Sequence, residues 1–295
     1  MKLRVSIVIP VYNGEYTIKA ALNSVLSQSS TSCEVEIIVI NDGSTDNTRS
    51  LLDSYSSKHP EVKVFHYENA GVSIARQRGI AEASFDYLLF LDADDEMAPG
   101  LLCAIEKVIR QYNSPDIIRF QALLVNDDAH KDHHRYNCAA PSISDGTHAL
   151  LKWSLDLSKK YALFWLFAIK KELFNGIKFP SLNCHEDVAI LPVVIAKAKS
   201  VVTIPDIGYH YTCDRATSLT HDTTMASRRS KANDFLRACE FVQNHFIHYT
   251  RIGLMSPEQL GMLIFNFAER KRIYFQSLPQ MLQNELKDAY DGDLN

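Results

Sequence analysis

The first hundred residues alternate short apolar runs with amphipathic ones. Val5–Ile9 is a β-branched run that meets Pro10 and a turn at Asn13-Gly14, after which Ile18, Leu22, Val25 and Leu26 recur at helical spacing. Val35–Ile40 is almost continuously apolar, the pattern of a strand buried on both faces in a parallel sheet. Asn41-Asp42-Gly43-Ser44 reads as a turn, with Ser44 or Thr45 capping a helix that carries Leu51, Leu52 and Tyr55. A third strand over Val62–Tyr67, the turn Asn69-Ala70-Gly71, a helix over residues 73–83 and a fourth strand over Tyr87–Leu91 follow. Repeated strand–helix units imply right-handed crossovers and a parallel sheet whose post-strand loops gather on one edge. Four polar loops therefore converge: Pro10–Gly14, Asn41–Asp46, Glu68–Gly71 and Asp92–Asp95.

Beyond Pro99-Gly100 a helix with Leu101, Ile105, Val108 and Ile109 leads to an apolar strand near Ile117–Val125. The polar stretch 126–137 reads as an exposed loop, and its His130, His133 and His134 fit a solvated set better than a metal site. Residues 145–215 mix helices and strands, and from about Met225 the pattern is helical only. There Ser256-Pro257-Glu258-Gln259 supplies an N-cap, a proline at the first helical position and a capping-box Gln, ahead of a stripe of Leu260, Leu263, Ile264 and Phe267.

Composition narrows the class of protein. The chain has 295 residues, 46% apolar and 22% charged, as in ordinary globular domains, and its net charge of −4 argues against nucleic acid as a partner. The six cysteines are scattered without a CxxC, which fits buried free thiols in a reducing compartment and neither zinc nor a disulfide framework. The N-terminal run is too short for a signal peptide and no apolar stretch reaches membrane-spanning length, so the expected location is cytoplasmic. Residues 228–272 hold eight Lys or Arg against four Asp or Glu. That excess suits helices packed on the domain or on a second copy as a homodimer, and also suits peripheral contact with the inner face of an anionic membrane.

The chemistry concentrates at Leu88-Leu89-Phe90-Leu91-Asp92-Ala93-Asp94-Asp95, where an apolar strand runs into three carboxylates. Each buried acid needs solvent, a donor or a cation, and ligands of open α/β sheets bind just beyond the carboxyl ends of strands. Hard divalent ions take oxygen ligands and keep phosphate oxygens in their shell, so a metal–phosphate site follows.

Four segments then carry a resemblance: Val5 through Gly14, Asn41 through Asp46, Glu68 through Arg76, and Leu91 through Asp95. In order and spacing they resemble the family 2 inverting glycosyltransferases of the GT-A fold. The resemblance is strong over the first hundred residues and weaker to about residue 220. It implies a Rossmann-like, mainly parallel sheet flanked by helices, with a helical C-terminal extension. Residues 1–100 would form the nucleotide-sugar-binding half, 101–224 the acceptor-binding half of the same domain, and 225–295 the extension.

The resemblance also implies roles. Pro10, Val11, Tyr12 and Asp42 would hold the nucleotide base, with Asp42 accepting the imino hydrogen of uracil, and Asn13 of the same loop would belong to the nucleotide-sugar site. Asn69 and Ala93 lie in the matching donor-side motifs. Arg76 would lie near the base or the phosphates, although Gln77 stands where the family motif has Asn. Asp92 would touch the ribose or, through water, the metal, and Asp94 would bind Mn²⁺ or Mg²⁺ directly. Asp95 would support them or cap the next helix. In His185-Glu186-Asp187, Asp187 matches the family's base and Glu186 an acceptor-binding or orienting acid. Arg215, in the segment beginning Tyr209-His210-Tyr211, would neutralise phosphate. Phe167 stands where the family often has Lys, and Trp165 suits the core or a sugar face. The implied reaction transfers a sugar from a nucleotide-diphosphate sugar, chiefly a UDP-sugar, to a saccharide or glycolipid acceptor in surface polysaccharide or lipopolysaccharide synthesis.

Two rivals meet the same residues less well. A sugar nucleotidyltransferase needs a Gly- and Lys/Arg-rich loop after the first strand, and Val11-Tyr12-Asn13-Gly14-Glu15 is not one. A non-catalytic nucleotide-sugar binder has no need of both the Asp92–Asp94 pair and Glu186-Asp187.

Overall fold

Strand β1 (Leu3–Val11) lies at the centre of the first half, paired in parallel with β2 (Cys33–Asp42) on one side and β4 (Tyr87–Phe90) on the other. The computed structural model describes residues 3–28, 33–126, 135–136, 141–155, 163–213 and 223–291. Strand β3 (Val62–Tyr67) extends the sheet beside β2. The crossovers are α1 (Ile18–Leu26), α2 (Thr48–Ser56) and α3 (Val72–Glu82).

Strands β1 and β2 run two residues past their expected limits at each end, β1 continuing through Pro10 to Val11, whereas β3 keeps its limits and β4 ends one residue early at Phe90. Pro10 is tolerated because the β4 ladder stops at Val8–Phe90, so the missing N–H interrupts no bond on that side. Helix α2 begins at Thr48 behind Asn47, so neither Ser44 nor Thr45 caps it. Their side chains and backbone face Asn13 across the cleft instead.

The second half completes one sheet in the order β3-β2-β1-β4-β9-β6-β10-β5. Its added elements are β5 (Glu96–Met97), α4 (Leu101–Gln111), β6 (Ile117–Asn126), β7 (Arg135–Tyr136), β8 (Ser142–Ser144), α5 (Gly146–Leu155), β9 (Phe167–Lys170), α6 (Glu186–Ala196) and β10 (Val201–Cys213). Strand β9 runs antiparallel between β4 and β6, stitching the two parallel blocks together. The long ladders are parallel, so the sheet is mainly parallel. Most of the 126–137 stretch lies outside the described residues, but its residues 135–136 pair with β6, where a plain loop was expected.

Helices α7 (Met225–Arg251), α8 (Pro257–Ser277) and α9 (Gln280–Asp291) form the C-terminal extension, and α8 opens with the predicted capping box at Ser256 and Gln259. The main core runs from β1 through β10 and takes in Ala238, Val242, Phe246 and Leu263 of the extension. The extension is thus packed on the domain. Among the described residues Cys33, Cys103, Cys184 and Cys239 form no disulfide and are half-buried, where buried thiols were expected. Among the described residues no helix is long and apolar enough to cross a membrane.

Candidate active site

The carboxyl ends of β1 to β4 lie on one edge, and their loops are tied to one another by hydrogen bonds. Asn13, at φ 53°, donates its N–H to Ser44 Oγ (2.9 Å) and accepts from Thr45 N–H through Oδ1 (2.8 Å). Gly14 N–H donates to Thr48 Oγ1 at 2.8 Å. Asp42, buried at the end of β2, accepts from the N–H groups of Ala70 (3.0 Å) and Gly71 (2.8 Å) and from Arg78 Nη1 (3.0 Å). A carboxylate offers about four acceptor directions, so three donors leave one for a ligand. Tyr12 stands half-exposed beside this cluster, and Pro10, Val11 and Asn69 border it.

Arg76 does not lie on a solvated helix face; it is 5% exposed and spans the cleft. Its Nη2 donates to Asp92 Oδ1 at 2.6 Å and its Nη1 to Glu186 Oε1, while the guanidinium lies 5.2 Å over the Phe164 ring. Its buried Nε has no hydrogen-bond partner among the described residues. The helix that carries it presents Ser73, Arg76, Gly79 and Ile80 to the sheet, so the cation points inward by helical phase. Arg78, two residues on, emerges on the opposite side, over the Tyr67 ring at 4.4 Å and against Asp42.

The three acids differ in surroundings. Asp92 is partly exposed and its N–H donates to Tyr209 Oη at 3.2 Å. Asp94 is half-buried on the same turn, beside Ala93. Asp95 is buried, accepting from Tyr209 Oη (2.7 Å) and Thr212 N–H (2.7 Å). Burial and the negative charges of Asp92 and Asp94 push its carboxyl up to about 8. It therefore supports the turn from beneath, and α4 is preceded instead by Gly100. Trp165 is buried, stacked on Tyr209 (4.5 Å) and Tyr211 (5.5 Å), which makes it core, not a sugar platform.

Glu186 and Asp187 form the first turn of α6, where negative charge suits the helix dipole. Glu186 is 7% exposed and turned to Arg76; Asp187 Oδ1 accepts from Val188 N–H at 2.7 Å. His185 precedes them at φ 62°, and burial lowers its imidazole to about 4. Residues 183–185 are held by α7 and α8: Asp234 Oδ2 accepts from Asn183 N–H (2.9 Å) and Cys184 N–H (3.3 Å). The His185 ring meets Phe235 and Tyr274 edge-on. Sequence reasoning missed Arg78, Tyr209 as an anchor, and Asp234. Of these only Tyr209 lay in a segment singled out for a role beside the donor. Arg215 lies outside the described residues.

A mixed, mainly parallel α/β sheet with paired acids beyond β4, hydrogen-bonded loops beyond β1–β3 and an acidic helix start joined to them through Arg76 has the arrangement of a GT-A-type protein. The sequence model of the family described as "Glycosyl transferase family 2" matches residues 6–175, and the chain belongs to that family. The chain is 43% identical over 98 residues to "Uncharacterized glycosyltransferase YibD" of Escherichia coli K12, covering 33% of this chain and 28% of that protein. It is 25% identical over 235 residues to "Minor teichoic acid biosynthesis protein GgaB" of Bacillus subtilis, covering 77% of this chain and 24% of that protein. The first three curated relatives are thus matched over about a third of their length or less, at 28%, 32% and 16%. Among solved structures, Staphylococcus aureus TarS 1–349 in complex with UDP-GlcNAc superposes with a TM-score of 0.63 at 19% identity, covering 99% of this chain and 88% of that one. That likeness establishes the fold.

Proposed function

We propose that the chain is a metal-dependent inverting glycosyltransferase that moves a sugar from a UDP-sugar to a saccharide or lipid-linked acceptor during surface polysaccharide or lipopolysaccharide synthesis. One observation carries the reading. Arg76 joins Asp92 at the donor-side strand end to Glu186 beside Asp187, so acids nearly a hundred residues apart form one charged cleft. A teichoic acid protein among the relatives and the sugar nucleotides named with the fold neighbours, UDP-GlcNAc with TarS and GDP-Man with a Pyrobaculum calidifontis mannosyltransferase, favour the same substrate class.

In this reading Pro10–Asn13, Asp42 and Asn69 frame the base, and the remaining acceptor direction of Asp42 takes the imino N–H of uracil. Asp187 accepts the proton of the acceptor hydroxyl as that oxygen attacks the anomeric carbon from the side opposite the diphosphate. The bond from C1 to the phosphate oxygen breaks, its electron pair stays on the diphosphate, and the configuration inverts. Glu186, held by Arg76, orients the acceptor.

The acids fit a divalent ion. Asp92 and Asp94 supply hard carboxylate oxygens from one partly exposed turn. No cluster of three or more metal-binding side chains occurs among the described residues, so the rest of the shell would come from donor phosphate and water. Mn²⁺ or Mg²⁺ held there by Asp94, with Asp92 beside it, would stabilise the leaving diphosphate. Asp187→Asn should abolish transfer while UDP affinity stays within about twofold, because a neutral amide accepts no proton; transfer retained in that variant refutes the assignment. The C-terminal helices, with Met262, Phe265 and Ile273 exposed on α8, suit contact with a membrane surface or a second copy.

A further inference from the structure

Asp187 sits one residue into α6, so its position depends on where that helix starts and how it is phased. The start is an unusual backbone. His185 occupies the left-handed region at φ 62° and ψ 20°, a conformation that costs a non-glycine residue about 1–2 kcal/mol and persists only when its surroundings hold it. Asp187 lies outside the 6–175 span that matches the family model, and so do Asp234, Phe235 and Tyr274, which hold residues 183–185.

Those groups come from the C-terminal extension. Asp234 of α7 is buried, 5% exposed, and its Oδ2 receives both Asn183 N–H and Cys184 N–H, with Cys184 Sγ at 3.8 Å. Phe235 and Tyr274 stack on each other at 4.2 Å and meet the His185 ring at 5.3 and 5.5 Å. Val188, in the first turn of α6, packs on the same small apolar cluster as Phe235 and Leu282. From the opposite side Arg76 grips Glu186. The start of α6 is therefore clamped between the sheet half and the extension, with Asp187 between the two grips.

We propose that Asp234 is a positioning residue for the base Asp187, and that the C-terminal helices are by this contact a working part of the active site. The proposal rests on the reading of Asp187 as the base. Asp234 is too deeply engaged with backbone to meet substrate; it acts by fixing residues 183–185 and hence the first turn of α6. A misplacement of about 1 Å is enough to cost roughly 100-fold in rate.

The test uses the full chain, with Asp234→Ala, Asp234→Asn and, as a control that touches Asp234 only through an exposed side chain at 3.6 Å, Arg237→Ala. Four quantities are measured: UDP release with Mn²⁺ from whichever of UDP-GlcNAc, UDP-glucose and UDP-galactose wild type turns over fastest, UDP affinity, thermal midpoint, and amide exchange over residues 183–188. Asp234→Ala should lower kcat roughly 10–100-fold, leave UDP affinity within about twofold, and speed exchange over 183–188 while β1–β4 keep wild-type protection. Asp234→Asn retains an acceptor oxygen and should recover most of kcat, and Arg237→Ala should behave as wild type. Wild-type kcat and exchange in Asp234→Ala overturn the proposal, and so does an equal fall in kcat, UDP affinity and sheet protection, which marks plain destabilisation. Asp187→Asn separates the two ideas. Turnover retained there removes the base assignment; turnover lost there but kept in Asp234→Ala removes only the positioning role.

Discussion

Replacing Arg76 by Met keeps an unbranched apolar side chain at the site and removes the cation that lies between Asp92 and Glu186 and over the Phe164 ring. Removing one partner of a buried ion pair costs about 3–5 kcal/mol, because the remaining charge is left in a poorly hydrated place. Glu186, 7% exposed, meets that condition. The Asp92 side chain, 28% exposed, regains some hydration, which puts the expected loss near the lower figure, about 3 kcal/mol. For a domain of this size that corresponds to a midpoint roughly 6–12 °C lower. The decisive assay is a double-mutant cycle in urea at neutral pH with Arg76→Met, Glu186→Gln and the pair, followed by two probes whose transitions must coincide. Gln fills the space of Glu without its charge, so the double variant should recover about 2 kcal/mol relative to the sum of the singles. A coupling below about 0.5 kcal/mol, the scatter expected of independent sites, would refute the claim that Arg76 is the electrostatic link between the two halves of the cleft.

Other outcomes follow from other contacts. A Cβ on Gly79 would stand 2.3 Å from Val8 Cγ1, so Gly79→Ala should cost about 1–3 kcal/mol by pushing α3 off the sheet, and pairing it with Val8→Ala should reduce that cost; an unchanged thermal midpoint would contradict the close approach. His185 is lowered to about 4 in the folded protein against an ordinary 6.5, so between those pH values the unfolded chain binds a proton that the folded one refuses. Stability should therefore be full above pH 6.5 and fall by up to about 3 kcal/mol as pH drops to 4. Asp95, raised to about 8, acts with the opposite sign, so the His185 part is isolated as the difference between wild type and His185→Phe across a pH series; identical pH slopes in the two proteins would rule it out. Asp94→Asn should remove the dependence of turnover on Mn²⁺ concentration while metal-free UDP affinity changes little, and an unaltered Mn²⁺ titration would exclude Asp94 as a ligand.

The first half of the sheet was readable because each strand is an apolar run closed by turn residues and α1 and α2 carry apolar residues at helical spacing. The second half was less so. Strand β9 is four residues, Phe167–Lys170, too short for a periodic signature, and its antiparallel place between two parallel blocks is decided only by packing. The α2 start was misjudged because the oxygens of Ser44 and Asn13 bond across loops 31 residues apart, a use that local capping rules do not see. The acids of the cleft were readable from their position after an apolar strand. The inward direction of Arg76 was not, because the buried face of α3 is built from Ser73, Arg76 and Gly79 and looks polar. Asp234 gave no signal at all; among basic neighbours it reads as an ordinary solvated acid.

Asn13 and Asp42 hold the three loops beyond β1, β2 and β3 together with the protein's own donors and acceptors. The entropy of ordering that rim is therefore lost during folding and not when a nucleotide arrives, so affinity is not discounted by about 0.5–1.5 kcal/mol for each side chain otherwise immobilised on binding. A rim of this kind should behave as a rigid socket: it admits a donor quickly and discriminates by shape. Mutations that loosen it would first appear as a lower unfolding midpoint and only later as weaker binding.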